Sequence, residues 1–125
     1  MRILDQNMMK KLSFPDYEVE KMEFFPQTKT LALVVDGGWL DVEDGVQLGK
    51  GVLFFKNWEN LLIRRYNPLT SIWTNVEELS AEPLRDLCEV KFFNSSVNLC
   101  GFGKELGFWL EWQILNTEMY AEFIS

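Results

Sequence analysis

Histidine is missing from this chain altogether. Without an imidazole there is no Ser-His or Cys-His nucleophile pair, and the commonest nitrogen ligand for zinc, copper and non-haem iron is absent. Cysteine is scarce as well: Cys88 and Cys100 are the only two, too few for a four-sulfur zinc site within one chain. Two thiols fit a reducing compartment, where they stay free; a cross-strand disulfide is the other reading, because the pair flanks a turn. No apolar run approaches the roughly 18 residues of a membrane helix. The start, MRILDQNMMKKLSF, has neither a long apolar stretch nor a small-residue cleavage site. The expectation is a cytoplasmic protein that enters no membrane.

Positive charge is also in deficit, with 12 Lys and Arg against 19 Asp and Glu and a net charge of −7. A nucleic-acid ligand is not expected on that ground, since such proteins neutralise phosphates with a basic patch. An acidic surface steers encounter with a basic protein partner, and it also serves plain solubility. What the chain has in quantity is apolar material: 47% of its 125 residues are hydrophobic, enough for one core and one domain spanning 1–125.

The apolar residues mostly recur at every second position in short runs punctuated by turn formers, which is the pattern of strands. YEVEKMEFF starts with Tyr17 and Val19 in one phase and continues with Met22 and Phe24 in the other, so a bulge is expected near Glu20 and Lys21. A turn at PQTK leads to TLALVV as its hairpin partner. KGVLFFKNW and LLIRRYN read as the next antiparallel pair, LCEVKFF and VNLCGF as another around Asn94, and FWLEWQIL and MYAEFI as the last, joined by Asn116 and Thr117. Adjacent Arg64 and Arg65 point to opposite faces, one of them paired with an acid. TNVEELSAEPLRDL is the one internal segment of helical character, with Thr74 and Glu77 spaced as a capping box and Pro83 limiting its length. Residues 1–13 read either as a short helix capped by Asp5, with Met8, Met9 and Leu12 on one side, or as a flexible lead-in. The sum is an all-β chain, or a β-rich one with one or two short helices. Its expected form is an antiparallel β-sandwich or small barrel of about eight strands in consecutive hairpins.

Cofactor motifs fail at named positions. Against Gly-x-x-x-x-Gly-Lys-Ser/Thr, Gly103 and Lys104 fit, but Asn98 replaces the first glycine and Glu105 the hydroxyl; Gly-x-Gly-x-x-Gly fails at Leu106. The stretch reads as a turn, and no cofactor is expected. Asp36, Asp41, Glu43 and Asp44 crowd a glycine-rich segment whose spacing does not match a calcium loop, because Leu40 falls at the first ligand position. No metal site is assigned. Paired carboxylates hydrolyse glycosides without histidine, but separation in sequence does not give separation in space.

Five tryptophans remain. Trp109 and Trp112 differ in strand parity, so a regular strand sends them to opposite faces and one of them lies outside the core. Trp39, within the acidic glycine-rich segment, is expected on a surface loop as a binding anchor.

FPDYEVEKMEFFPQTKTLALVVDG, GVLFFKNWENLLIRRY and VNLCGFGKELGFWLEW together resemble small bacterial all-β proteins of the immunity-protein type. Where such sequences often have a histidine before the opening aspartate, this chain has Pro15 beside Asp16, so that feature does not transfer. The resemblance implies a non-catalytic protein that binds another protein, such as a toxin. The expected function is therefore a non-enzymatic protein-binding module, with Asp36, Trp39, Asp41, Glu43, Asp44 and Trp109 as the expected contact residues. A small-ligand or carbohydrate-binding β domain is the alternative, and a carboxylate-dependent hydrolase ranks below both.

Overall fold

A computed structural model describes residues 1–124. Alternation translates directly into antiparallel strands. β3 (Tyr17–Phe25) and β4 (Thr30–Val35) form the first hairpin, closed by Lys29 at a φ of 53°. Their register slips by one residue between Val19 and Lys21. This is the expected bulge, and through it Val19 is buried while Met22 and Phe24, in the other phase, still pack against the core. β7 (Gly51–Lys56) adds to β4, β14 (Glu118–Phe123) adds to β7, and β1 (Arg2–Leu4) pairs with β14. With β10 (Asp86–Leu87) beside β3, these make a six-stranded sheet in the order β1-β14-β7-β4-β3-β10.

A second, five-stranded sheet follows the order β11-β12-β13-β8-β9. Its strands are β8 (Asn60–Asn67), β9 (Ile72–Val76), β11 (Glu89–Phe93), β12 (Ser96–Phe102) and β13 (Trp109–Leu115). A small third sheet joins β2 (Leu12–Ser13), β5 (Gly38–Leu40) and β6 (Val46–Leu48). All pairings are antiparallel, and no sheet closes into a barrel among the described residues. Leu33 and Leu53 of the first sheet, Leu99 and Trp112 of the second, and Leu40 and Leu48 of the third belong to one buried cluster. Across it, Phe24 meets Trp112 edge to face at 5.0 Å and stacks on Trp58 at 6.1 Å. No helix is long and apolar enough to cross a membrane among the described residues.

Several expectations are corrected. Among the described residues there are fourteen strands instead of about eight, and consecutive hairpins account for only part of the pairing. β7 and β8 are not partners, nor are β13 and β14: each pair lies in different sheets. Both crossings occur at the same place. Asn57 and Asn116 adopt left-handed φ values of 55° and 52°, and Trp58 and Thr117 are buried immediately after them. Thr117 Oγ1 donates to the carbonyl of Lys56 at 2.9 Å, and Asn116 Nδ2 to Glu59 Oε2 at 2.9 Å, so the crossings brace each other.

The helix expected at TNVEELSAEPLRDL is replaced by strand β9 and a single 3-10 turn, Glu78–Ser80. Ile72, Trp73, Thr74 and Val76 are β-branched or aromatic, and pairing with β8 outweighs the apparent capping box; Glu77 makes no capping hydrogen bond. At the N-terminus, by contrast, α1 (Gln6–Met9) forms, and Asp5 Oδ1 accepts from the Met8 amide at 2.9 Å.

The two large sheets are joined at one edge by residues 84–88. Val19 N–H donates to the Arg85 carbonyl on one side, while on the other Arg85 N–H donates to Phe102 and Cys88 N–H to Cys100, at 2.8–2.9 Å. Asp86 Oδ1 accepts from the Phe102 amide at 2.9 Å. This close approach needs Gly101, where any Cβ would overlap the Asp86 carbonyl oxygen. We predict that Gly101→Ala lowers stability by about 3 kcal/mol, the upper end of overpacking costs. Urea unfolding checks it; a loss under about 1 kcal/mol would show the junction to be pliable.

Candidate functional site

The outer face of the five-stranded sheet carries the most distinctive arrangement. In β13, Leu110, Trp112 and Ile114 are buried, so Trp109, Glu111 and Gln113 face away from the core. Strand register then aligns residues across the sheet. Trp73 of β9 pairs with Tyr66 of β8, Tyr66 with Trp109 of β13, and Trp109 with Phe102 of β12. Four aromatic side chains on four adjacent strands therefore stand in one row. Tyr66 and Trp73 lie 5.2 Å apart at 53°, and Phe102 and Trp109 lie 5.2 Å apart at 81°. Pro68, Gly107 and Phe108 complete the walls of a groove of about 490 Å³. Gly107, at a φ of 75°, makes the turn that brings Phe108 to the rim.

A polar row runs beside the aromatic one: Asn75, Arg64, Glu111 and Cys100, again in direct register. Arg64 Nη2 donates to Glu111 Oε1 at 2.8 Å, and Gln113 Nε2 donates to the same oxygen at 2.6 Å. The Arg64 guanidinium also lies over the Trp73 ring at 4.3 Å, holding that indole in place for on the order of 1 kcal/mol. Arg65 points the other way along the pleat, and its guanidinium sits 6.0 Å from the Phe108 ring. The acid-paired arginine expected from sequence is Arg64.

No family model, curated protein or solved structure matches the chain.

The expected contact residues divide between two places. Trp109 lies half-buried in the aromatic row, with Trp112 in the core at 1% exposure. Trp39 is 38% exposed, but it stands on strand β5 of the small sheet and not on a loop, with its indole packed over Gly45. Asp36, Asp41, Glu43 and Asp44 are all exposed around that sheet, and none of them lines the groove. Among the described residues no three potential metal ligands converge. Tyr66, Trp73, Phe102 and Phe108 were not singled out in the sequence. The only signal for them is register: aromatic residues become a site when β9, β8, β13 and β12 are known to be neighbours.

The two thiols are free and lie next to each other in the fold, Cys88 N–H donating to the Cys100 carbonyl. Burial, followed by hydrogen bonding to Asp16 and Asp86 and by their charges, pushes the Cys88 thiol up to about 12. Burial, followed by the charges of Glu111 and Glu89, pushes Cys100 up to about 11. Both therefore keep their protons longer in the folded chain than in the unfolded one, whose thiols ionise near 9.0. Their contribution to stability is complete below pH 9 and is lost as pH rises through about 11 and 12. The unfolding midpoint should fall over that range, and less so in a Cys88→Ser/Cys100→Ala chain. At pH 8 a thiol reagent should modify the native chain about 100-fold more slowly than the denatured chain. Equal rates would contradict this picture.

Proposed function

We propose that this chain is a non-enzymatic protein-binding module, with the aromatic groove of the five-stranded sheet as its principal contact surface. The two large sheets serve as the layers of a sandwich, and the partner is a basic protein of the toxin type bound by an immunity-type inhibitor. The row Trp73, Tyr66, Trp109 and Phe102 carries this reading. Tryptophan and tyrosine in a partly desolvated groove are the usual anchors of protein interfaces, and a polar row beside them supplies a rim. The rings are tilted at 53° and 81° instead of lying coplanar, which leaves clefts for inserted side chains and no flat platform for a sugar ring. A net charge of −7, with Asp36, Asp41, Glu43 and Asp44 exposed beside Trp39, steers a basic partner toward the molecule. Free thiols fit a cytoplasmic site of action.

A small-ligand domain is the second reading, favoured by the groove volume of about 490 Å³, which lies within the usual range for such pockets.

The test is binding of a captured basic partner to single variants. Trp109→Ala and Trp73→Ala should each weaken the complex by roughly 30-fold, as hot-spot truncations do, while replacing Asp41, Glu43 and Asp44 by their amides acts mainly on the association rate. Loss of binding only on changing Trp39 and its neighbouring acids would move the contact to the small sheet. Absence of any protein partner, with a saturable tryptophan fluorescence change on adding a sugar or metabolite, would favour the second reading.

A further inference from the structure

Every open sheet has two edges, and an unpaired edge strand is a template for another chain. In this fold most edges are blunted. β1 has three residues and begins with Arg2, β10 and β2 have two residues each, β6 has three, and β11 carries Glu89 and Lys91, which pair at 3.0 Å. β9 differs. Its five residues, Ile-Trp-Thr-Asn-Val, include no charge, proline or glycine, and its register with β8 runs unbroken from Ile63 opposite Val76 to Asn67 opposite Ile72. Four of the five are exposed, with Ile72 at 57% and Trp73 at 40%. Among the described residues nothing pairs with its outer side.

We propose that β9 pairs antiparallel with β9 of a second copy of this chain about a two-fold axis through Thr74, fusing two five-stranded sheets into one of ten. The sequence of the strand is self-complementary in that register. Thr74 faces Thr74, and Ile72 faces Val76 on either side of it, so one sheet face gains three β-branched cross-strand pairs. Trp73 faces Asn75 on the other face, again twice. Two chains of net charge −7 repel, so self-association requires a contact free of acids. The five residues of β9 carry no acid, the nearest being Glu77 just beyond its end, and Arg65 of β8 stands behind Thr74. The axis stands perpendicular to the joined sheet, so both aromatic rows open on the same side. The assembly shares Trp73 with the groove but is made by the backbone edge of β9, so Thr74, which does not line the groove, tests it apart from the partner-binding reading. Five paired residues per chain make an interface below the standard size, so the dimer expected is weak and transient and is populated at high chain concentration.

Sedimentation over a concentration series tests it. The weight-average mass should rise from 14.7 kDa toward twice that value, with the Trp73 and Asn75 amides gaining protection from hydrogen exchange. Thr74→Lys and Thr74→Glu, each placing like charges on the axis, should stay at the monomer mass when alone, and their equimolar mixture should restore the dimer. A wild-type chain that remains at 14.7 kDa throughout overturns the proposal. So does a dimer that Thr74→Lys leaves intact, or a mixture of the two variants that stays monomeric.

Discussion

The pleat of β13 governs both the inside and the outside of this molecule. A strand must send successive side chains to opposite faces, and at the centre of the five-stranded sheet this puts Leu110, Trp112 and Ile114 into the core. Trp109, Glu111 and Gln113 necessarily face outward. Hydrogen-bonded register passes the same parity to the neighbours, so Ile63 and Leu99 lie beside Trp112 in the interior while Tyr66 and Phe102 flank Trp109 outside. A slip of one residue would exchange the two sets. Burying Trp112 against Phe24 contributes on the order of 3–5 kcal/mol relative to alanine, and that penalty fixes the phase. The Arg64 to Glu111 ion pair on the opposite face adds a smaller term of the same sign.

Two junctions hold the sheets in the relation that this phase demands. At one end the chain crosses twice, through Asn57–Trp58 and Asn116–Thr117, and the crossings are bonded to each other. Along one edge, residues 84–88 hydrogen bond to β3 and to β12 together. The Asp86 carboxylate, by accepting from the Phe102 amide, anchors the backbone at the end of the aromatic row. Phe102 is thus placed by Asp86, which does not itself line the groove, and the glycine that permits it, Gly101, is the immediate neighbour of Phe102.

Much of this was legible in the sequence and some was not, for definable reasons. Strand positions followed from alternation, the β3 bulge from a change of phase, α1 from Asp5, and the split between Trp109 and Trp112 from parity. These are local properties, written in neighbouring residues. The partners of β7, β8, β13 and β14 differ from those the sequence suggests because a two-residue link such as Asn116–Thr117 is compatible with a hairpin and with a crossing. Only the burial of Trp58 and Thr117 distinguishes the two. β9 was obscured by the spacing of Thr74 and Glu77, a helix signal that tertiary pairing overrides. The aromatic groove was invisible for a stronger reason: its members come from four strands spread between Tyr66 and Trp109, and no local pattern records which strands are adjacent.

The division of the tryptophans between core and outer face is most directly measured by fluorine NMR of the chain labelled with 5-fluorotryptophan, in the presence of a soluble paramagnetic relaxation agent. Single Trp→Phe variants assign the five resonances. The account predicts strong broadening of Trp39 and Trp73, intermediate broadening of Trp109, and sharp lines for Trp58 and Trp112. A Trp112 line broadened as much as that of Trp109, or a Trp109 line as sharp as that of Trp58, would contradict it.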